Sequence, residues 1–171
     1  MKIIFLILGA ALVAVIGYFL LDRERFWTTF FGSADLGPVD IESMEYSGGT
    51  NTHLICPPGY CKNAKADSDA PIFAVSGAEL RQGLLDQLNA APRTTIMADD
   101  GDIRVVSRTD RMRFPDTISI RVIDIADNQA SVAMFSRSQI GRSDFGVNGS
   151  RIKSIIRRLS ERFDVVPSTG D

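Results

Sequence analysis

Ile3 to Leu21, IIFLILGAALVAVIGYFLL, runs for nineteen residues without a charge. At about 1.5 Å per residue such a run nearly matches a hydrocarbon core of about 30 Å, so it predicts one membrane-spanning helix. Asp22, Arg23, Glu24 and Arg25 end it, and Phe26 and Trp27 follow as a pair suited to a membrane interface. A cleavable signal has a shorter apolar region, about 7–15 residues, with small residues close behind it. Here the nearest small-residue site, Gly32-Ser33-Ala34, lies well beyond the run, and no Cys follows for lipoprotein processing. An uncleaved anchor is therefore expected, with a long cleaved signal as the alternative. The flanking cations balance: the amino group and Lys2 on one side, Arg23 and Arg25 on the other. Charge bias leaves orientation open. A single N-terminal anchor ahead of a folded domain commonly places that domain outside the cytoplasm, which is the expectation here.

After the span the pattern changes twice. From Gly32 to Ala70 the chain is rich in Gly, Pro, Ser, Asp and Asn with few apolar repeats, the composition of a lead-in. From Pro71 onward, periodic elements return. Ser76-Gly77-Ala78-Glu79 is a capping box, and Leu80, Leu84, Leu85 and Leu88 recur at helical spacing, predicting a helix over 77–90 that Pro92 stops. Four strand-like runs follow at about 94–98, 103–109, 117–125 and 130–138, the first two joined by the turn Asp99-Asp100-Gly101-Asp102. In the third, Ile118, Ile120 and Val122 alternate with Ser119 and Arg121, as in a half-buried antiparallel strand. Ile152, Ile155, Ile156, Leu159 and Phe163 then form the apolar stripe of a helix over 150–163. The order predicts an α+β fold: a four-stranded antiparallel sheet with two helices on one face, preceded by one N-terminal transmembrane helix. The corresponding division is an anchor over 1–25, a lead-in over 26–70, the domain over 71–166 and a tail over 167–171.

Composition adds exclusions. The 171 residues suit one domain with appendages, and 44% hydrophobic with 23% charged residues is the balance of a folded chain. Nineteen Lys plus Arg against twenty-one Asp plus Glu give a net charge of -2, so nucleic acid is not the expected partner. Two Cys and one His leave little for metal or nucleophile chemistry, and no cofactor is expected. In Cys56-Pro57-Pro58-Gly59-Tyr60-Cys61 the prolines and glycine reverse the chain, so the thiols can meet. A disulfide is expected in an oxidising compartment. Free thiols, or zinc on His53, Cys56 and Cys61 with Asp67 or Asp69, are the alternatives.

The densest polar cluster runs from Ser136 to Ile152, through a strand end and a loop into a helix start. Ser138, a residue pair, Gly141, Arg142, Ser143-Asp144, Phe145, Gly146, Asn148 and then Arg151-Ile152 form a pattern that resembles the signature of the family known as domain of unknown function 1499. Phe114 and Asp116 upstream, Cys56-Pro57 and Pro71-Ile72-Phe73 are similar to that family's other positions, over about residues 50–163. The family often has Arg where this chain has Gln139, and an acid where it has Thr117. The resemblance implies membership and a fold, and no chemistry.

Two physical readings of the loop remain. In one, Gly141 and Gly146 take backbone conformations barred to other residues while Asp144 and Asn148 cap the last helix, Asp144 pairing with Arg137 or Arg151. In the other, Arg137, Ser138, Gly141, Arg142, Ser143, Asp144, Gly146, Asn148 and Arg151 bind a partner, aided by the helix N-terminus and by the basic face of Lys153, Arg157, Arg158 and Arg162. An anionic lipid or an acidic protein suits that face. The function expected is that of a non-enzymatic envelope protein: single-pass in the inner (cytoplasmic) membrane through residues 3–21, its domain periplasmic. The alternative is a hydrolase using Asp144, Ser143 and Asp116, although no activating base is evident in the sequence. Asp144-Phe145-Gly146 copies a kinase tripeptide by coincidence, since no nucleotide loop accompanies it. Asn148-Gly149-Ser150 matches a glycosylation acceptor, but its place at a helix start favours a cap.

Overall fold

A computed structural model describes residues 1–167; of the expected tail, 168–171 lie outside the described residues. Helix α1, Lys2–Leu21, has no buried residue and is long and apolar enough to cross a membrane. Asp22 separates it from α2, Arg23–Phe31, and caps α2 by accepting from the Arg25 amide at 2.9 Å. The two helices meet through edge-on aromatic contacts of Phe19 with Phe26 and Trp27, at 5.2 and 5.7 Å between ring centroids.

The fold is α+β, but the sheet has six strands and is mixed. In chain order these are β1 Thr52–Cys56, β2 Ser68–Asp69, β3 Thr94–Ala98, β4 Ile103–Arg108, β5 Pro115–Ala126 and β6 Gln129–Ser138. Their spatial order is β2-β1-β6-β5-β4-β3, antiparallel throughout except for the parallel pair β1 and β2. The four expected strands are all present. The correction comes from the stretch taken for a lead-in, which supplies β1 and β2. Thr52 to Ile55 pair with Arg137 to Met134, partners some eighty positions away that local pattern cannot reveal.

Helices α3, Gly77–Ala90, and α4, Val147–Arg162, cover one face. Ser76 caps α3 by accepting from the Glu79 amide at 3.3 Å. Leu80, Leu84, Leu88, Ile152, Ile155 and Leu159 pack on Ile103, Val105, Ile118, Ile120, Val132 and Met134. The other face was expected to meet solvent. Instead residues 34–46 and 60–66, on either side of β1 in the chain, lie across it, with Ile41 fully buried on Leu54, Cys56, Ala133 and Phe135. Thr117 and Ser119 are consequently buried, so β5 is covered on both sides over its first half. The sulfurs of Cys56 and Cys61 lie at disulfide distance, with Cα atoms 6.1 Å apart. Among the described residues no three His, Cys, Asp or Glu side chains gather as a metal set.

Candidate functional site

Strand parity divides the cluster that is contiguous in sequence. Side chains two apart share a face, so Ser136 and Ser138 point toward α4, whereas Arg137 points into the layer of residues 34–46 and 60–66. Arg137 donates to the carbonyls of Leu36 and Gly37, at 3.0 and 2.7 Å. It is therefore not with the other candidate residues. Gln139 continues the same face and donates to the carbonyls of Phe31 and Ser33. Thr117 accepts from the Leu36 amide at 3.0 Å and donates to the Ala34 carbonyl at 3.1 Å. Gln139 and Thr117 thus both hold the segment 31–36 against the sheet.

On the helix face Asn148 is the hub. It is fully buried, and its Nδ2 donates to the Asn51 carbonyl at 3.0 Å and to Ser138 Oγ at 2.9 Å. Its Oδ1 accepts from Ser136 Oγ and, at 3.2 Å, from Arg151. Of the two expected helix caps, Asp144 serves as one and Asn148 does not. Asp144 Oδ1 accepts from the Gly146 amide at 2.9 Å and its Oδ2 from the Asn148 amide at 2.8 Å, filling donors that the start of α4 leaves free. Asp144 therefore pairs with neither Arg137 nor Arg151. Asn51 and Thr50 pin the loop from β1's approach: Asn51 Nδ2 donates to the Gly141 carbonyl at 2.9 Å, Thr50 Oγ1 to that of Arg142. Gly141 and Gly146 adopt φ of 97° and 80°, where glycine is favoured.

Arg151 pairs with Asp116, Nη2 to Oδ2 at 2.8 Å. The contact is close but off the hydrogen-bond direction, which leaves Oδ2 buried without a hydrogen-bond partner. Asp116 is 2% exposed, and this burial raises its carboxyl above the ordinary aspartate range, against the opposing pull of Arg151. Asp116 forms part of the wall of a cavity of about 300 Å³, whose remaining wall is mainly apolar: Phe114, Ile140, Phe145 and Val147, with Ser138 and Ser143 as polar neighbours. Phe145 stands at the lip, 95% exposed, with φ of 53°. Its amide donates to Ser143 Oγ at 3.2 Å. A bulky residue with φ above zero is uncommon and costs on the order of 1–3 kcal/mol, so the surrounding bonds must hold it there.

Ser138, Gly141, Ser143 and Asp144 line this cavity together, and Gly146, Asn148 and Arg151 shape or brace it, while Arg142 is exposed. The basic face is less free than its count of cations suggests. Arg157 pairs with Glu161 at 2.6 Å and Arg162 with Asp86 at 2.9 Å. Arg142, Lys153 and Arg158 make no ion pair among the described residues. Sequence reasoning missed Thr50, Asn51, Ile140 and Phe145 as parts of the site. A bulky apolar residue between Asp144 and Gly146 in a polar loop was the available signal for Phe145.

No curated protein and no solved structure matches this chain. Residues 51–159 match the family described as protein of unknown function (DUF1499), a span reaching from β1 to the last turn of α4 and covering more than half of the chain. It contains every residue of the cavity wall. The chain belongs to the DUF1499 family.

Proposed function

We propose that this protein is a membrane-anchored, non-enzymatic binding protein whose ligand seats in the cavity beside the 138–147 loop. In this reading residues 3–21 cross the cytoplasmic membrane once and the domain lies outside the cytoplasm. The apolar helix α1 and the paired cysteines support that placement, since disulfides persist in oxidising compartments. The observation that carries the binding reading is the cavity itself: about 300 Å³, apolar for most of its wall, with the buried Asp116 carboxylate, paired with Arg151, on one side. That combination is characteristic of small-ligand sites, which span about 300–1,000 Å³ and carry few polar groups. Of the groups a hydrolase would use, Asp144 is engaged elsewhere: both its oxygens accept main-chain amides.

The test is native mass spectrometry of the full chain extracted from membranes, together with a screen on generic esters and phosphates. Wild type is expected to retain a non-covalent mass that Ile140→Glu, which puts a charge into the apolar wall, releases. Absence of any retained mass in wild type, or equal retention by the variant, overturns the reading. So does hydrolysis abolished by Asp116→Asn, Ser143→Ala or Asp144→Asn in a protein that remains folded.

A further inference from the structure

A second concavity adjoins the apolar cavity and shares Thr109, Phe145 and Val147 with it. This groove encloses about 630 Å³, and its charged lining consists of Arg93, Arg108, Arg151 and Arg158 with one acid, Asp110. Three of the arginines have partners: Arg93 bonds Asp110, Arg108 lies 3.3 Å from Glu24, and Arg151 lies 2.8 Å from Asp116. Arg158 makes no ion pair among the described residues, so it is the arginine of this groove without an acid partner. Arg93 also keeps a buried Nε–H without an acceptor. An apolar pocket opening into an arginine-lined groove, one guanidinium of which lacks an acid partner, matches a ligand with an aliphatic chain and an anionic head.

The position of the tether selects the source of that ligand. Arg23, two residues beyond the end of α1, donates to the Arg111 carbonyl. One turn further, Trp27 Nε1 donates to the Met112 carbonyl at 2.6 Å, and its ring packs on Phe114 with centroids 4.7 Å apart. Phe114 is itself a wall of the cavity. One aromatic ring thus separates the cavity from α2, the helix that follows α1 after the break at Asp22, so with α1 in the bilayer the site lies near the membrane surface. The lip supports the same placement. Phe145, 95% exposed, presents apolar surface there that water penalises and an interfacial lipid layer accepts, and Met112, outside the cavity wall beside Trp27 and 41% exposed, adds to it.

We infer that the ligand is a bilayer phospholipid with an anionic headgroup, one acyl chain seated against Phe114, Ile140 and Val147 and the phosphodiester held by the groove of Arg93, Arg108 and Arg158. The inference rests on the membrane-anchored binding reading above. Full chain is reconstituted into phosphatidylcholine vesicles doped with either of two probes carrying a photoreactive group on the acyl chain, phosphatidylglycerol or phosphatidylcholine, and cross-linked peptides are mapped. The phosphatidylglycerol probe is expected to label peptides containing residues 109–118 and 139–150. Arg158→Ala, an exposed change that leaves the core intact, should lower that labelling about fivefold, the effect of one interfacial cation worth about 1 kcal/mol. Equal labelling by the two probes overturns the headgroup assignment. Labelling confined to residues 1–31 overturns the lipid assignment, because it reports lipid around the tether alone. If the protein still retains a mass that Ile140→Glu releases, that second outcome removes the lipid while binding at the cavity stands; if no mass is retained, both readings fall.

Discussion

Asp116 sits at a register position opposite Ser138 and Ser107, beneath α4, where a carboxylate has lost most of its water. Its folded-state carboxyl titrates above the unfolded value near 3.9, because burial outweighs the attraction of Arg151. Between those two values the folded chain binds more protons than the unfolded one, so this group's contribution to stability falls as pH rises through that window. Asp116→Asn is isosteric and does not ionise. Melts of the full chain in one detergent should show the variant gaining on wild type as pH rises from about 3.9, then holding a constant advantage once the wild-type carboxyl is fully ionised. An offset independent of pH across the acid range sinks this account. At this scale the sequence carried part of the site and concealed part. Ser138, Gly141, Ser143 and Asp144 were legible because polar and glycine residues crowd one loop. Arg137 misled for a simple reason: contiguity in sequence was taken for a shared surface, whereas alternation along β6 sends it to the opposite face.

Among the elements, α3 and α4 were the most legible, since each carries its own periodicity, and the capping box at Ser76 marks the start of α3 to the residue. Strand β1 was not. It is five residues long, follows Gly48-Gly49 and precedes Pro57-Pro58, and its pairing with β6 is entirely long-range. The packing of α3 on the chain after α4 depends on one missing side chain. A Cβ at Gly83 would stand 2.6 and 2.7 Å from Cε2 and Cζ of Phe163, a ring that is 9% exposed and meets Phe73 edge-on. Ala favours a helix over Gly by about 1 kcal/mol, but overpacking a core costs about 1–3 kcal/mol and a rigid ring cannot swing aside cheaply. Gly83→Ala should therefore lose up to about 2 kcal/mol in chemical denaturation. The double variant Gly83→Ala/Phe163→Leu should recover part of that loss relative to Phe163→Leu alone, a coupling expected only of residues in contact. Simple additivity of the two changes would show that the ring does not meet the new methyl group.

The domain is a sheet with helices on one side and an irregular layer, residues 34–46 and 60–66, on the other, and the first part of this second layer joins α1 and α2 to the sheet. Its polar composition suggested a linker; its cohesion comes from pairings that composition does not display. Arg104 holds Asp35 through Nε at 2.9 and 3.0 Å, and Arg121 gathers three segments at once. Arg121 Nε and Nη2 each donate to Asp102 at 2.8 Å, in the turn between β3 and β4. Its Nη1 lies 3.2 Å from Asp40 and 3.5 Å from Glu42, and donates to Tyr60 Oη, inside the Cys56–Cys61 loop, at 3.3 Å. These contacts, Asp102 foremost, raise the guanidinium's affinity for its proton still further, so it stays charged at any pH the fold survives. Charged hydrogen bonds contribute about 1.5–3 kcal/mol when shielded and less when partly exposed, and Asp40 and Glu42 are more than half exposed. Arg121→Leu keeps the aliphatic stem and should cost about 1–2 kcal/mol. The loss should be uneven, because Asp102 remains in a hairpin secured by its own ladder, whereas 40–46 is held by side chains and a few bonds such as Lys65 N–H to the Tyr46 carbonyl at 2.7 Å. Hydrogen exchange of the full chain resolves this: amides over 40–46 and 60–66 should exchange faster in the variant while those of β1, β4 and β5 keep their protection. Uniform acceleration across the sheet would mean that the second layer has no stability of its own to lose. Unchanged exchange over 40–46 and 60–66 would mean that Ile41 and its apolar neighbours hold the layer without the arginine.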